Sequence, residues 1–441
     1  MKFPTFKSGV HPEESKSLTA ALPIEILPEP KEVFIPLQQH IGAPCKPLVE
    51  VGEEVKKGQV VGSTDAFVAS PVHATINGKV KAIGRYPAPT GSKIQMIHIV
   101  AKDEEDEQDT VEKNIETDWT ALSVEELKDR IKKAGIVGLG GAAFPTHVKL
   151  SPPEDKPIDT FILNGCECEP FLTADHRMMV ESPDKILTGM AIIMKVLDVK
   201  EGYVGIESNK PDAVEKMSSA AKDYGFSIVT VKTKYPQGAE KMLIKAVKNR
   251  KVPTGGLPMD VSAIVQNVGT AAAVANAVIN EKPLTKRIVT VTGNGIKEPK
   301  NLLVTIGTKF SDVIEYCGGL VDEASQVFMG GPMMGIAQFD LAVPVIKATS
   351  GIVCTTDYKQ VEPLACIGCG GCVQACPMFL MPTRLARLSY IRYWSEADQM
   401  GIMNCIECGS CAYVCPSNIP LVQWIRVGKQ KVYEIQCELV A

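Results

Sequence analysis

The stretch Cys366-Ile367-Gly368-Cys369-Gly370-Gly371-Cys372-Val373-Gln374-Ala375-Cys376-Pro377 is repeated in outline at Cys405-Ile406-Glu407-Cys408-Gly409-Ser410-Cys411-Ala412-Tyr413-Val414-Cys415-Pro416. Each run spaces three cysteines by two residues, adds a fourth four positions on, and closes with proline. This spacing holds paired [4Fe–4S] clusters, the fourth cysteine of each run ligating the other cluster. Two residues between ligands let a tight loop aim three thiolates at three irons, and Gly368, Gly370, Gly371 and Gly409 permit the turns. The pattern assigns cluster one to Cys366, Cys369, Cys372 and Cys415, and cluster two to Cys405, Cys408, Cys411 and Cys376. Plainer readings fit less well. Zinc sites show pairs of cysteines rather than triplets followed by Cys-Pro. A disulfide scaffold needs an oxidising compartment, and Met1 leads into Lys2-Phe3-Pro4-Thr5-Phe6 with no apolar leader. A decayed, empty domain would have lost ligands, and none of the eight is missing.

A chain of 441 residues holds about three or four domains. With 47 basic against 51 acidic residues it has no nucleic-acid footprint. No apolar run reaches about 18 residues, so a spanning helix is not expected and the chain reads as soluble or peripheral. Six cysteines fall outside the two runs: Cys45, Cys166, Cys168, Cys317, Cys354 and Cys437. In a reducing compartment they read as plain buried thiols.

The chain changes character several times. Residues 1–30 are polar and proline-rich, an extended arm. Residues 31–112 begin with short apolar stretches separated by glycine-marked turns, which predicts a small β-sandwich. Its pattern is similar to the barrel-sandwich fold of biotinyl and lipoyl carriers. The hairpin that displays their lysine reads Ser63-Thr64-Asp65-Ala66-Phe67 here, so a docking or structural role is expected instead. The acidic run at 103–109 reads as a solvated linker. Over 113–283 strands and helices alternate. Ser123-Val124-Glu125-Glu126 is a capping box opening a helix to 134. Strands are expected at 159–164, 202–207 and 227–232, with helices at 185–197, 211–224, 238–248 and 270–279. Residues 284–345 predict strands around one helix, a small β-grasp module. A ferredoxin-like part covers 355–441. The whole is a multidomain α/β protein.

Gly138-Leu139-Gly140-Gly141-Ala142-Ala143 has the form of a dinucleotide fingerprint, yet the context is wrong for a Rossmann unit. Only Ile136-Val137 precedes it as strand, and Phe144-Pro145 interrupts the helix that should follow. The loop still lets backbone N–H groups approach a phosphate or a flat ring, with Lys149 in reach of an anion. The alternative is a plain turn. Asn164-Gly165-Cys166-Glu167-Cys168-Glu169-Pro170 follows a predicted buried strand, placing two carboxylates where α/β sheets bind ligands. Cys166 and Cys168 have no partner pair nearby for a metal. Asp175-His176-Arg177 reads as a solvated face.

Three of these stretches together resemble the NADH-oxidising flavoprotein of respiratory complex I, which carries a GRGGAGFPTGLK loop, an NADEGEP strand end, a GEE helix start and a VNNVET segment. The counterparts here are 138–149, 164–170, Gly238-Ala239-Glu240 and Val265-Gln266-Asn267-Val268-Gly269-Thr270. The closer resemblance, over essentially the whole chain, is to the RnfC family of the Rnf electron-transport complex. That family shares the opening Pro36-Leu37-Gln38-Gln39-His40-Ile41-Gly42-Ala43-Pro44 and the two-cluster tail. The resemblance implies a barrel-sandwich hybrid, an α/β FMN and NAD(H) domain like that of the complex I 51-kDa protein, an SLBB-like β-grasp and a ferredoxin-like domain.

It further implies that Gly138, Gly140, Gly141 and Lys149 line the flavin and nucleotide phosphates, and that Asn164, Asn267 and Thr270 hold FMN. Glu169 would bind the nicotinamide-nucleotide ribose, Glu240 would lie near the nicotinamide, and Glu167 would help orient the substrate. Leu139 replaces the loop arginine, Cys166 an aspartate and Ala239 the first glutamate of GEE, which leaves the family's flavin contacts at Cys166 and Ala239 open. No tail follows the ferredoxin part, unlike the long extensions of some relatives.

The implied activity is hydride exchange between NAD(H) and FMN, then single-electron transfer through two [4Fe–4S] clusters. No side-chain acid or base is required for the hydride step. The implied partners are the iron–sulfur and membrane subunits of a Rnf complex, and ferredoxin indirectly, in a ferredoxin:NAD+ oxidoreductase that translocates Na+ or H+. The implied location is the cytoplasmic face of a bacterial membrane. Two rivals are a cobalamin reductase-like flavo-iron–sulfur protein and a non-enzymatic iron–sulfur adaptor.

Overall fold

The computed structural model describes residues 3–102, 116–356 and 361–440. The acidic run at 103–109 lies outside them.

The arm expected at residues 1–30 packs against the body along its described part. Phe6, Val10 and Leu27 are buried, and β1 (Ile24–Ile26) pairs in parallel with a strand near residue 300. A polar, proline-rich segment gives no periodic signal, so only its few apolar anchors reveal that it packs.

The sandwich follows from alternation. In β2 (Glu32–Pro36) Val33 and Ile35 point inward between half-exposed neighbours. β3 (Lys46–Pro47), β4 (Glu54–Val55), β5 (Val60–Ser63), β6 (Val72–His73), β7 (Gly78–Pro87) and β8 (Lys93–Ala101) complete two sheets, ordered β2-β8-β7-β4 and β3-β5-β6. Leu37, Val61, Val72, Ile76, Ile97 and Ile99 fill the space between them. Burying such a side chain is worth about 1.5–3 kcal/mol.

The next unit opens with α1 (Val124–Lys133). Both bonds of its capping box form: Ser123 Oγ accepts from Glu126 N, and the Glu126 carboxylate accepts from Ser123 N. After the glycine loop comes only the four-residue α2 (Thr146–Lys149); Gly138 N donates to Phe144 O, folding the loop back on itself. No Rossmann helix exists there. The sheet is wholly parallel: β9 (Thr160–Gly165), β10 (Glu201–Glu207), β11 (Ser227–Val231) and β12 (Ala263–Asn267), in the order β11-β10-β9-β12. β9 and β12 read as nearly continuous apolar runs because helices cover both faces. Those helices are α3 (Ala174–Glu181), α4 (Pro183–Leu197), α5 (Pro211–Ala220), α6 (Glu240–Lys248) and α7 (Val268–Ile279). α3 corrects one expectation. Asp175-His176-Arg177 is no solvated face: His176 is buried, and the Asp175 carboxylate faces inward to Asn267.

The β-grasp sheet is larger than its expected boundaries. β13 (Lys286–Thr292), β14 (Lys300–Thr305), β15 (Gln326–Met329) and β16 (Ile336–Gln338) surround α8 (Phe310–Tyr316). β17 (Gly351–Thr355), from an interval the sequence left between domains, runs parallel to β13 and completes the order β1-β14-β13-β17-β15-β16. The last unit is helical: α9 (Gly371–Ala375), α10 (Pro382–Tyr390), α11 (Trp394–Gln399), α12 (Ser410–Tyr413) and the long α13 (Leu421–Val440). Leu385, Leu388, Ile402, Leu421 and Ile425 form its core. Of the six other cysteines, Cys45, Cys166, Cys317 and Cys354 are buried as expected, Cys168 is half-buried, and Cys437 lies exposed on α13.

Candidate flavin crevice and iron–sulfur cavities

In the parallel sheet the chain runs outward from β9 through β10 to β11, then returns to place β12 on the other side of β9. The strand order therefore reverses between β9 and β12, and open α/β sheets bind ligands outside the carboxyl ends of the strands at such a point. Asn164 and Asn267 are register partners at those ends. Asn164 Nδ2 donates to Gly238 O at 2.8 Å, and its Oδ1 accepts from Cys166 N at 3.1 Å. Asn267 caps α7: Oδ1 accepts from Gly269 N at 2.8 Å and Thr270 N at 3.3 Å, while Nδ2 donates to Asp175 Oδ2 at 2.6 Å.

Thr270 carries the glycine loop. Its Oγ1 accepts from Leu139 N at 2.9 Å, and Arg287 Nη2 donates to Leu139 O at 3.3 Å. Leu139 is thus pinned from both sides, and Gly140, Gly141 and Ala142 project into solvent beyond it. Gly140 lies so close to Asn267 that a Cβ there would sit 2.8–2.9 Å from its side-chain atoms, whereas a Cβ on Gly141 would meet nothing within 4 Å. At the end of α2, Lys149 Nζ pairs with Glu240 Oε2 at 3.0 Å, both side chains partly exposed. Ala239 occupies the N-cap of α6 without a side-chain bond. Asn164, Asn267 and Gly140 therefore lie together at the carboxyl end of the sheet, and Asn164 also ties in Gly238, two residues before Glu240, the partner of Lys149.

The other expected residues are engaged by contacts within the protein. Thr270 is fully buried beneath the loop. Glu167 adopts φ +46° and turns its carboxylate onto the start of α3, accepting from Asp175 N at 2.7 Å and His176 N at 3.0 Å. Glu169 accepts from Met333 N at 3.2 Å and Met334 N at 2.9 Å, both from the β-grasp unit. Burial pushes the Glu169 carboxyl up to about 7, with those amide donors acting the other way. Asp175 is also raised, by burial first and by the neighbouring Glu167 charge second.

Two lysines that no motif marked hold this loop. Lys16, from the arm, donates to Glu167 O at 2.9 Å and Glu169 O at 2.8 Å, and also to Leu172 O. Burial draws it down to about 8. Lys210 donates to Cys166 O at 2.7 Å. Cys166 is fully buried against Gly205 O, and Cys168 Sγ accepts from Gly238 N at 3.3 Å. Among the described residues no group of three or more His, Cys, Asp or Glu side chains gathers for a single ion, at this C-x-C or elsewhere.

The eight remaining cysteines line two cavities in the helical unit. One is walled by Cys376, Cys405, Cys408 and Cys411 with Pro377, Leu380, Val422 and Ile425. The other is walled by Cys366, Cys369, Cys372 and Cys415 with Thr383, Pro416 and Leu421. Each cavity thus mixes three thiols of one run with the fourth of the other. All-sulfur donors in an apolar wall suit an iron–sulfur cluster. Backbone amides already point at sulfur: Leu380 N to Cys376 and Glu407 N to Cys405, each at 3.4 Å. The cavities differ in exposure. Cys366 and Cys369 lie open at the surface, while Cys376, Cys408 and Cys411 are buried.

Comparison with known proteins agrees segment by segment. Residues 4–105 match the RnfC barrel sandwich hybrid domain, 131–276 the Nuo51 FMN-binding domain, 288–337 the SLBB domain and 358–416 a 4Fe-4S dicluster domain. The chain is 51% identical to the C subunit of the proton-translocating ferredoxin:NAD(+) oxidoreductase complex of Clostridium ljungdahlii, over 97% of this chain and 94% of that one. It is 45% identical to the Na(+)-translocating counterpart of Acetobacterium woodii, over 98% of each chain. It is 41% identical to the C subunit of the ion-translocating oxidoreductase complex of Rhodobacter capsulatus, over 98% of this chain and 84% of that one. Four domains in matching order, and identity along nearly the whole length, place this chain in the RnfC family, the C subunits of ion-translocating oxidoreductase complexes.

Proposed function

We propose that this chain is the NAD(H)-oxidoreducing, electron-transferring member of a membrane Rnf complex that couples ferredoxin:NAD+ oxidoreduction to Na+ or H+ translocation. One observation supports the reading: a single chain joins a parallel sheet whose strand order reverses beside a glycine loop to two cavities with four cysteines each. Bound FMN would exchange a hydride with the nicotinamide and pass electrons singly to [4Fe–4S] clusters.

The chain's own residues bind, orient and insulate. Gly140 and Gly141 offer backbone to the ring and phosphates, and Lys149 neutralises phosphate charge. Asn164 and Asn267 fix the crevice floor. Glu240 orients the nicotinamide, exchanging its bond to Lys149 for substrate. Glu169 limits the site on the β-grasp side. Cys376, Cys405, Cys408 and Cys411 would hold an inner cluster, and Cys366, Cys369, Cys372 and Cys415 an outer one; the exposure of Cys366 and Cys369 leaves that site open to a partner for electron exchange. Among the described residues no helix is long and apolar enough to cross a membrane. In this reading the ion path belongs to the membrane partners, and this chain sits peripherally on the cytoplasmic face.

The test is an anaerobic NADH titration of the chain loaded with FMN and clusters, followed by flavin absorbance and by EPR. NADH should bleach the flavin, and Lys149→Ala or Glu240→Ala should weaken the response. A chain that assembles clusters but neither binds FMN nor responds to NADH would overturn the catalytic reading.

A further inference from the structure

The loop that bears Glu169 and the inner cysteine cavity are bridged by a side chain that neither motif includes. Tyr235 is 1% exposed, among the largest fully buried side chains. Its hydroxyl lies 2.7 Å from the carbonyl oxygen of Cys408 and 3.4 Å from Oε1 of Glu169. A phenol has one proton, and the shorter contact takes it, so Tyr235 donates to Cys408 O. Its backbone is clasped by the arm, with Val10 N donating to Tyr235 O at 2.8 Å and Tyr235 N to Val10 O at 2.9 Å. The same arm reaches the other run of cysteines, because Gly9 N donates to Ala375 O at 3.0 Å, next to Cys376. Val10, Tyr235, Ala375 and Cys408 share one apolar cluster with Met333, the residue whose N–H holds Glu169. Gly409 completes the contact: a Cβ there would lie 2.6 Å from Met333 O, so the cluster loop presses on the β-grasp loop with no room to spare.

We propose that Tyr235 is a positioning residue for electron exchange between the flavin and the inner cluster, acting through its hydrogen bond to the carbonyl of Cys408. This rests on the cofactor assignment above. The bond does two things. It fixes the ligand loop against the segment that carries Glu169, and so fixes the separation of the two redox sites. It also offsets the negative end of the Cys408 carbonyl dipole beside the cluster. Removing the donor leaves that dipole uncompensated in an apolar wall, which disfavours the extra negative charge of the reduced cluster. Hydrogen bonding and exposure are among the levers that set such potentials. Tyr235 does not reach the outer cluster, which serves as an internal reference.

The experiment is an EPR-monitored redox titration of the loaded full-length chain, wild type against Tyr235→Phe, with iron content and FMN stoichiometry measured on both. Phenylalanine keeps the ring and removes only the donor. The same pair is made in a Cys366→Ser background to separate the inner signal from the outer. At a fixed poise the reduced-to-oxidised ratio of the inner cluster should fall about five- to tenfold, the worth of about one hydrogen bond. The outer cluster should not move, flavin reduction by NADH should keep its rate, and flavin-to-cluster transfer should slow. Unchanged inner-cluster potential and transfer rate would overturn the proposal. Equal shifts in both clusters, or selective loss of inner iron, would also overturn it, since Tyr235 would then be holding the fold rather than tuning transfer. A wild type lacking flavin or one cluster would instead refute the cofactor assignment.

Discussion

Gly140→Ala and Gly141→Ala differ by one residue and should fail differently. Neither glycine sits in the left-handed region, so the contrast is one of space. At Gly140 the new methyl would stand 2.8–2.9 Å from Nδ2, Cβ and Cγ of Asn267. Asn267 cannot swing aside freely, because Oδ1 caps α7 and Nδ2 is bonded to Asp175. If it rotates, the cap is lost, at about 1 kcal/mol. If the loop moves instead, the bond from Leu139 N to Thr270 breaks, again at about 1 kcal/mol. Overpacking of this kind totals about 1–3 kcal/mol. Taking about 2 kcal/mol for a unit of this size, the flavin-free chain should melt about 4–8 °C lower. At Gly141 a methyl meets nothing, so stability should stay within about 0.5 kcal/mol of wild type. In the proposed cradle FMN would occupy the space of this methyl, so affinity should drop about tenfold or more, read by quenching of flavin fluorescence. An unchanged melting temperature for Gly140→Ala would refute the locked asparagine. Wild-type FMN affinity for Gly141→Ala would refute the cradle.

The crossed cysteine walls predict that Cys376→Ser, in the first run, removes the cluster held by the second, and that Cys415→Ser removes the other; EPR should lose one distinct signal in each, and loss of both signals together would contradict the crossing. Glu240→Gln breaks a partly exposed ion pair, so thermal stability should change by about 1 kcal/mol or less while the NADH concentration for half-maximal flavin reduction rises several-fold; an equal loss of both would make the pair structural. The raised carboxyls of Glu169 and Asp175 set a pH dependence. Unfolding releases protons that the folded state retains, so stability falls as pH rises from about 4, where unfolded carboxyls ionise, to about 7, and levels off above. Lys347 is drawn down to about 7 by burial, and stability from that group rises from there toward about 10. Asp175→Asn keeps an acceptor for Asn267 and should flatten the lower limb by about 1 kcal/mol or more, measured by denaturant melts at pH 5 and pH 7; an unaltered slope would refute ionisation of Asp175 as its source.

Short-range chemistry was legible in the sequence. The Cys-x2-Cys-x2-Cys-x3-Cys-Pro spacing is itself a loop geometry, and the cavities gather the cysteines in the crossed sets it implies. Ser123 and Glu126 form the predicted box because a capping box is closed within four residues. Phe144-Pro145 argued against a Rossmann helix, and the chain turns back there, since proline and a short strand act locally. What could not be read is what depends on distant partners. Asp175 looks like any surface acid until Asn267, 92 residues away, supplies its donor. Glu167 and Glu169 sit two apart on one loop and invite one role, yet Glu167 caps α3 and Glu169 faces the β-grasp unit.

The arm is the sharpest case, and it suggests why these domains travel in one chain. Polarity and prolines mark residues 1–30 as an extended arm without showing what it touches: Lys16 puts its charge on three carbonyls of the 167–172 segment, Val10 zips to Tyr235, and Gly9 bonds beside Cys376. A buried ammonium is costly unless every donor is satisfied, and here the acceptors are backbone groups that a strained loop would otherwise leave unpaired. That loop has Glu167 at φ +46° and Phe171 at φ +70°, left-handed conformations uncommon for non-glycine residues. The arm binds that loop at one end and makes the cysteine-loop contact at the other. In the proposed reading, a segment bound both to the 167–172 loop and beside Cys376 would keep the separation of the flavin and the inner cluster constant, and one-electron transfer depends on that separation.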